Sequence, residues 1–166
     1  RVELMRTRWQ LMPRATLSYI PNKQWQVSLV AGRYSQTPND DQLAQSNNTL
    51  PQSTANHVIL SMQYKGASSL LRIEPYLKRY RHLPRIPQGE WLADGYGTSR
   101  GVDVFVEDHS ISPRLVTTLA YSLNDSERLY QDYTELSTPS FASRHNLRLS
   151  AKYSIGKCIF GISETT

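Results

Sequence analysis

The chain holds 166 residues and 19.0 kDa, with 39% hydrophobic residues, 20% charged residues and a net charge of +5, so it is long enough for one average domain. Mean hydropathy is -0.52 and no apolar run reaches about eighteen residues, which excludes a helical membrane protein. It does not exclude a membrane β-barrel, whose alternating strands hide their apolar content from any average. The single cysteine, Cys158, excludes an internal disulfide framework, a cysteine-based zinc site and a CxxC redox motif. Lys and Arg are dispersed, which leaves no basic footprint for nucleic acid.

The dominant period is two. Strand-like text begins with a stub over residues 1–4 and returns over 14–20 and 25–35. Residues 57–64 set Val58, Leu60, Met62 and Tyr64 against His57, Ser61 and Gln63. Residues 70–80 set Leu71, Ile73, Pro75 and Leu77 against Arg72, Glu74, Tyr76, Lys78 and Tyr80, with Pro75, which lacks a ladder donor, predicting a bulge. Residues 101–107 place Val102, Val104 and Val106 opposite Asp103, Phe105 and Glu107. Strand text resumes over 114–123, then over 144–153, where Leu147, Leu149, Ala151 and Tyr153 oppose Asn146, Arg148, Ser150 and Lys152, and ends over 158–163. A strand points alternate side chains to opposite faces. The pattern therefore predicts an all-β, antiparallel chain of about eight strands with one apolar and one polar face. No helix is predicted; residues 127–136 have some helical spacing but no cap, and read as loop.

The connections carry a second signal. Residues 21–24, 65–69, 108–113 and 154–157 are short turns rich in Gly, Pro, Asn and Ser, whereas 36–54, 81–100 and 124–143 read as long polar loops. Long structureless loops are uncommon in compact soluble domains, and strict short/long alternation is how outer-membrane barrels are built. Tyr19, Tyr34, Tyr64, Tyr80, Tyr121 and Tyr153, with Trp25 beside a turn, recur at strand ends as membrane-interface girdles do. Alternation by itself fits either a sandwich, with its polar face in water, or a barrel, with its apolar face in lipid. In the barrel reading Arg72, Glu74, Lys78, Asp103, Glu107, Arg148 and Lys152 face a wet lumen.

The chemistry-bearing candidates sit in the long loops. Arg81, His82, Arg85, Trp91 and Tyr96 lie in one, and Arg128, Tyr130, Tyr133 and Phe141 in another. Aromatic and Arg side chains give large contact area with a charge handle, suited to anionic chelates or glycans. The ligand-binding candidates are Arg81, Arg85, Trp91, Tyr96, Arg128, Tyr130 and Tyr133. His57, His82, His109 and His145 lack HxxxH or HExxH spacing, no GxSxG elbow is present, and Gly95-Tyr96-Gly97 leads into a strand rather than a helix. The sequence thus predicts no metal site, no cofactor and no enzyme.

Several stretches have a recognisable order. Pro13-Arg14-Ala15-Thr16-Leu17-Ser18-Tyr19, a short turn, Trp25 and then Ala31-Gly32-Arg33-Tyr34-Ser35-Gln36-Thr37-Pro38 resemble the barrel of TonB-dependent outer-membrane receptors. Ala55-Asn56-His57-Val58 followed by Tyr64, the segment Arg72-Ile73-Glu74-Pro75-Tyr76-Leu77-Lys78-Arg79-Tyr80, and Gly95-Tyr96-Gly97-Thr98-Ser99-Arg100-Gly101-Val102-Asp103 are similar to later motifs of the same barrel. The resemblance spans about residues 1–153. It implies a 22-stranded barrel plugged by an N-terminal domain, with residues 1–166 as a partial barrel domain from its mid-to-late portion. The strand-like text at both ends, and an Arg at position 1 with no signal peptide after it, likewise predict a piece of something longer.

The implied activity is import of a scarce solute (siderophore, cobalamin or glycan) across the cell outer membrane. The implied partners are outer-membrane lipid, a small solute or metal chelate, and the TonB complex through parts absent from this chain. Two alternatives stand beside it: a self-contained small outer-membrane barrel with an envelope or adhesion role, and a soluble ligand-binding β-barrel.

Overall fold

Ten strands alternate with tight turns and longer crossings in a computed structural model that describes residues 2–5, 8–47 and 49–166. A small hairpin pairs β1 (Val2–Met5) with β2 (Arg8–Leu11). The remaining strands are β3 (Arg14–Tyr19), β4 (Trp25–Gln36), β5 (Ser53–Lys65), β6 (Ser69–Arg85), β7 (Leu92–Ser112), β8 (Leu115–Leu129), β9 (His145–Ile155) and β10 (Cys158–Thr165). These eight form one antiparallel sheet in strict chain order, an up-and-down meander from β3 to β10. The sheet is not closed: β3 and β10 lie at its two edges.

Register sorts the side chains. Residues directly opposite each other in antiparallel strands share a face. One unbroken row runs Trp25, Tyr64, Leu71, Val106, Leu119, Leu149, and the next runs Val27, Met62, Ile73, Val104, Tyr121, Leu147. On the other face the row between them reads Gln26, Gln63, Arg72, Phe105, Ala120, Arg148. The period-two text of the sequence thus becomes one apolar and one polar face six strands wide.

Among the described residues no second layer covers the apolar face. Leu17 is 73% exposed, Leu29 45%, Val58 46% and Ile162 75%. Among the described residues the buried hydrophobic side chains are Met12, Leu50 and Leu83, which stand outside those rows. An apolar surface of this extent marks contact with something other than water.

The two rims differ as the turn pattern predicts. At the plain rim Asn22 closes one turn by accepting from the backbone N–H of Gln24 at 2.9 Å and of Trp25 at 3.0 Å. Gly156 starts another at φ +58, a left-handed backbone that costs glycine nothing. At the opposite rim the strands run on. β6, β7 and β8 have 17, 21 and 15 residues, where about 9–11 cross a bilayer.

Six sequence expectations change here. Residues 108–113 are not a turn, because β7 runs on to Ser112 and only residues 113–114 connect it to β8. Residues 81–100 are mostly strand, because pairing continues through Arg79–Thr98, Arg81–Tyr96 and Arg85–Leu92, leaving only residues 86–91 between strands. Apolar alternation reports burial or lipid contact, so it fades where a strand projects beyond both. Residues 127–136 begin as the end of β8 and only then become loop. The first long crossing holds a six-residue helix, α1 (Asp40–Gln45), started by a reciprocal capping box between Asn39 and Gln42. Pro75 causes no bulge: it pairs with Val102, and toward β5 the ladder skips Leu60 and Ser61 and resumes in the same register. The irregularity lies higher, around His82 at φ +57. Tyr34 and Tyr80 are not girdle residues, since both stand on the polar face with His57. Tyr19, Trp25, Tyr64 and Tyr153 do lie on the apolar face near the plain rim.

Candidate ligand pocket on the polar face

All seven charged residues expected on one face share it by register: Arg72, Glu74 and Lys78 on β6, Asp103 and Glu107 on β7, Arg148 and Lys152 on β9. They pair loosely. The Arg72 guanidinium stands 3.6 Å from Glu74 and 5.5 Å from the Phe105 ring centroid. Glu107 lies 3.1 Å from His109. Thr118 and Ser150 hydrogen-bond across the next two strands.

Toward the extended rim the same face opens into a pocket of about 320 Å³. Small residues on β7 make the space: Gly97, Ser99 and Gly101 leave room that Tyr76, Tyr80 and Arg128 fill from the neighbouring strands. A Cβ on Gly101 would stand 2.6 Å from the Tyr76 hydroxyl, so the tyrosine needs a glycine opposite it. Tyr76 donates to Asn124 Oδ1 at 3.1 Å, Ser99 donates to the same oxygen at 2.8 Å, and Ser122 donates to Asp103 at 2.6 Å. These bonds hold the floor of the pocket as a network, and networks fix orientation better than isolated polar groups do.

Two cations project over that floor. Lys78 Nζ lies 4.6 Å from the centroid of Tyr76. Arg128 lies 4.2 Å from the centroid of Tyr80 and 5.3 Å from that of Phe141, which comes from the loop after β8. The buried Arg128 Nε–H has no hydrogen-bond partner in the described structure. The loop is tied down by backbone bonds: Ile86 N–H donates to Gln131 O at 2.8 Å, Gln131 N–H to Pro84 O at 2.7 Å, and Arg128 and Ser137 exchange bonds at 2.8 and 3.1 Å.

Of the ligand candidates read from the sequence, Arg128 lines this pocket. Tyr130 and Tyr133 pack edge-on at 4.9 Å in the loop above it, and Tyr130 meets Phe141 at 6.5 Å. Arg85 is held by Asp94 at 2.9 Å, and the Trp91 indole N–H donates to Gln45 at 3.0 Å, so these two fasten the projecting hairpin. Arg81 and Tyr96 pair with each other on the opposite, apolar-side face. Tyr76, Tyr80, Ser99, Asn124 and Asn146 were not singled out as binding residues. For Tyr76 and Tyr80 the signal lies in the alternation of 70–80, whose even positions share the face of Lys78, whereas Ser99, Asn124 and Asn146 join them only through the register of β7, β8 and β9. Among the described residues no group of three or more His, Cys, Asp or Glu side chains converges to hold a metal.

Burial, then the neighbouring Tyr133, push the Tyr130 phenol above its ordinary value. A raised phenol favours the protonated form in the folded state, so loop packing is complete below the ordinary tyrosine range and is lost as pH rises through the higher folded value. Absorbance titration near 295 nm should therefore show a late phenol that Tyr130→Phe removes; an unchanged titration curve would refute this.

No family model matches the sequence, and no curated protein matches it. Solved structures do. The FrpB iron transporter from Neisseria meningitidis, as the F5-1 variant apoprotein, matches with a TM-score of 0.71 and 14% identity over 94% of this chain and 26% of that one. Its F3-3 variant matches at 0.70 and 14% over 90% and 25%. The ferric-catecholate import receptor Fiu from E. coli K12 matches at 0.70 and 16% over 90% and 22%. The eight-stranded sheet thus has the fold of a segment of the β-barrel of these transport proteins. At these identities the likeness speaks for the fold, and the chain spans about a quarter of the length of the structures it matches. In a receptor-barrel segment the plain rim corresponds to short turns and the projecting strands to the long-loop side.

Proposed function

We propose that this chain forms part of the wall of an outer-membrane import receptor and that its polar face contributes to binding an anionic metal chelate. The apolar face meets lipid, the polar face lines the lumen, and the pocket beneath the loop of residues 130–144 takes the ligand. Arg72, Glu74, Lys78, Asp103, Glu107, Arg148 and Lys152 hydrate that lumen and hold a plug supplied from outside this chain, which couples to TonB. The observation that carries the ligand class is Arg128, set between Tyr80 and Phe141 with an unpartnered Nε–H and with Lys78 nearby. A guanidinium on aromatic rings offers charge-assisted bonds to carboxylate or catecholate oxygens while the rings stack on a flat chelate. That the similar solved structures include an iron transporter and a ferric-catecholate import receptor supports the same class. Iron here is cargo.

A self-contained small barrel is the weaker reading, because the first and last strands of the sheet are not paired with each other. A soluble barrel or sandwich would bury Leu29 and Val58, which stand exposed.

The test is equilibrium binding of a ferric catecholate to the full-length receptor. Arg128→Ala should weaken affinity about 10- to 100-fold, as loss of a central charged anchor does. Arg81→Ala, on the opposite face, should leave it within about twofold on the same scale. Equal effects of the two substitutions would overturn the assignment of the pocket.

A further inference from the structure

The apolar face ends abruptly toward the projecting rim. Its uppermost hydrophobic row over β4 to β6 is Ala31, Val58 and Leu77. The next same-face positions, two residues further and about 7 Å higher, are Arg33, Asn56 and Arg79, and the step above Arg79 is Arg81 beside the exposed Tyr96. Arg33, Arg79 and Arg81 are exposed, and no carboxylate pairs with any of them among the described residues. Arg100, one strand along, is already bound to Asp125 at 2.8 Å. Arg33 and Arg79 stand two strands apart, about 10 Å, and Arg79 and Arg81 two residues apart, about 7 Å, spacings that the long arginine side chains span.

We infer that Arg33, Arg79 and Arg81 form a docking surface for a phosphate-bearing lipid headgroup in the leaflet on the long-loop side. This rests on the reading that the apolar face is the lipid-facing wall. Position commits the occupant: acyl chains on Leu60 and Val58 carry their own headgroups to the height of these arginines. Charge selects it, since three unpaired guanidinium groups favour phosphate over a zwitterionic or neutral headgroup, and Arg pairs with phosphate through two parallel N–H donors. Tyr96 adds an interfacial ring at the same level. The surface faces away from the ligand pocket, so it serves anchoring and lipid selection rather than solute recognition.

The full-length receptor is reconstituted in phosphatidylcholine nanodiscs containing either a bis-phosphorylated glycolipid of the lipid A type or its dephosphorylated form, and retained glycolipid is counted by native mass spectrometry. The wild type should retain the phosphorylated lipid about tenfold over the dephosphorylated one, and the Arg33→Ser, Arg79→Ser, Arg81→Ser triple variant should lose that preference. Lys23→Ser with Lys65→Ser, which removes the same kind of charge at the plain rim, should retain it. A receptor that embeds normally but shows no preference, or a preference that survives in the triple variant, overturns the docking surface alone. A receptor that fails to enter nanodiscs at all overturns the membrane reading together with it.

Discussion

Leu29→Arg and Leu60→Arg should each destabilise the full-length receptor in lipid vesicles by about 2–4 kcal/mol, the cost of an arginine on the lipid face near the bilayer midplane. The two leucines are direct register partners, and Leu17 continues their row on β3. Each lies mid-way along the apolar band of its strand, with Val27 and Ala31 flanking Leu29, and Val58 and Met62 flanking Leu60. Ser61→Arg, one residue along and therefore on the opposite face, should cost less than about 1 kcal/mol, since the lumen proposed for that face is wet and accepts charge. The contrast is the measurement: urea titration of folding into vesicles for the three variants. Comparable losses at Leu60 and Ser61 would mean that the two faces do not meet different media.

The second large effect is predicted at Gly101. A Cβ there would lie 2.0 Å from the Leu123 carbonyl oxygen and 2.6 Å from the Tyr76 hydroxyl. The carbonyl belongs to the neighbouring strand and cannot yield without breaking its ladder. Gly101→Val should therefore cost about 3 kcal/mol or more, at the upper end of overpacking penalties. It should also expel Tyr76 from its bond to Asn124, so that chelate affinity falls with stability. Gly161→Ala on β10 is the control, because its nearest neighbour to a new Cβ is 3.8 Å away, and it should stay within about 0.5 kcal/mol. Equal tolerance at both glycines, read by thermal melting and ligand titration, would show that β7 is not closely packed against Tyr76.

The strands near the plain rim were legible because their two faces differ in polarity: Val58, Leu60 and Met62 against His57, Ser61 and Gln63 is the alternation of a strand. The projecting ends were not. From Gly95 to Arg100 the residues that face inward are Gly95, Gly97 and Ser99, small because large side chains from β6 and β8 occupy their space. These small residues do recur at every second position, but without an apolar partner set opposite them they give no hydrophobic alternation to read. The same blindness hid the pocket. Lys78 and Arg128 are 50 positions apart and meet only after β6, β7 and β8 are set side by side. Asn39 and Gln42 carry a readable capping box, and α1 escapes the periodicity because its six residues are too few to build an apolar stripe.

The open borders of the sheet have a consequence for handling the chain by itself. β3 and β10 each present a line of main-chain amide and carbonyl groups with no inter-strand partner on the outer side among the described residues, and every residue of both strands is exposed. Within hydrocarbon an unmet peptide group costs several kcal/mol, and in water such a border templates association with any other extended chain. A polypeptide of residues 1–166 produced in isolation should therefore polymerise border to border, and its aggregates should bind amyloid dyes, unless adjoining strands are supplied in the same molecule.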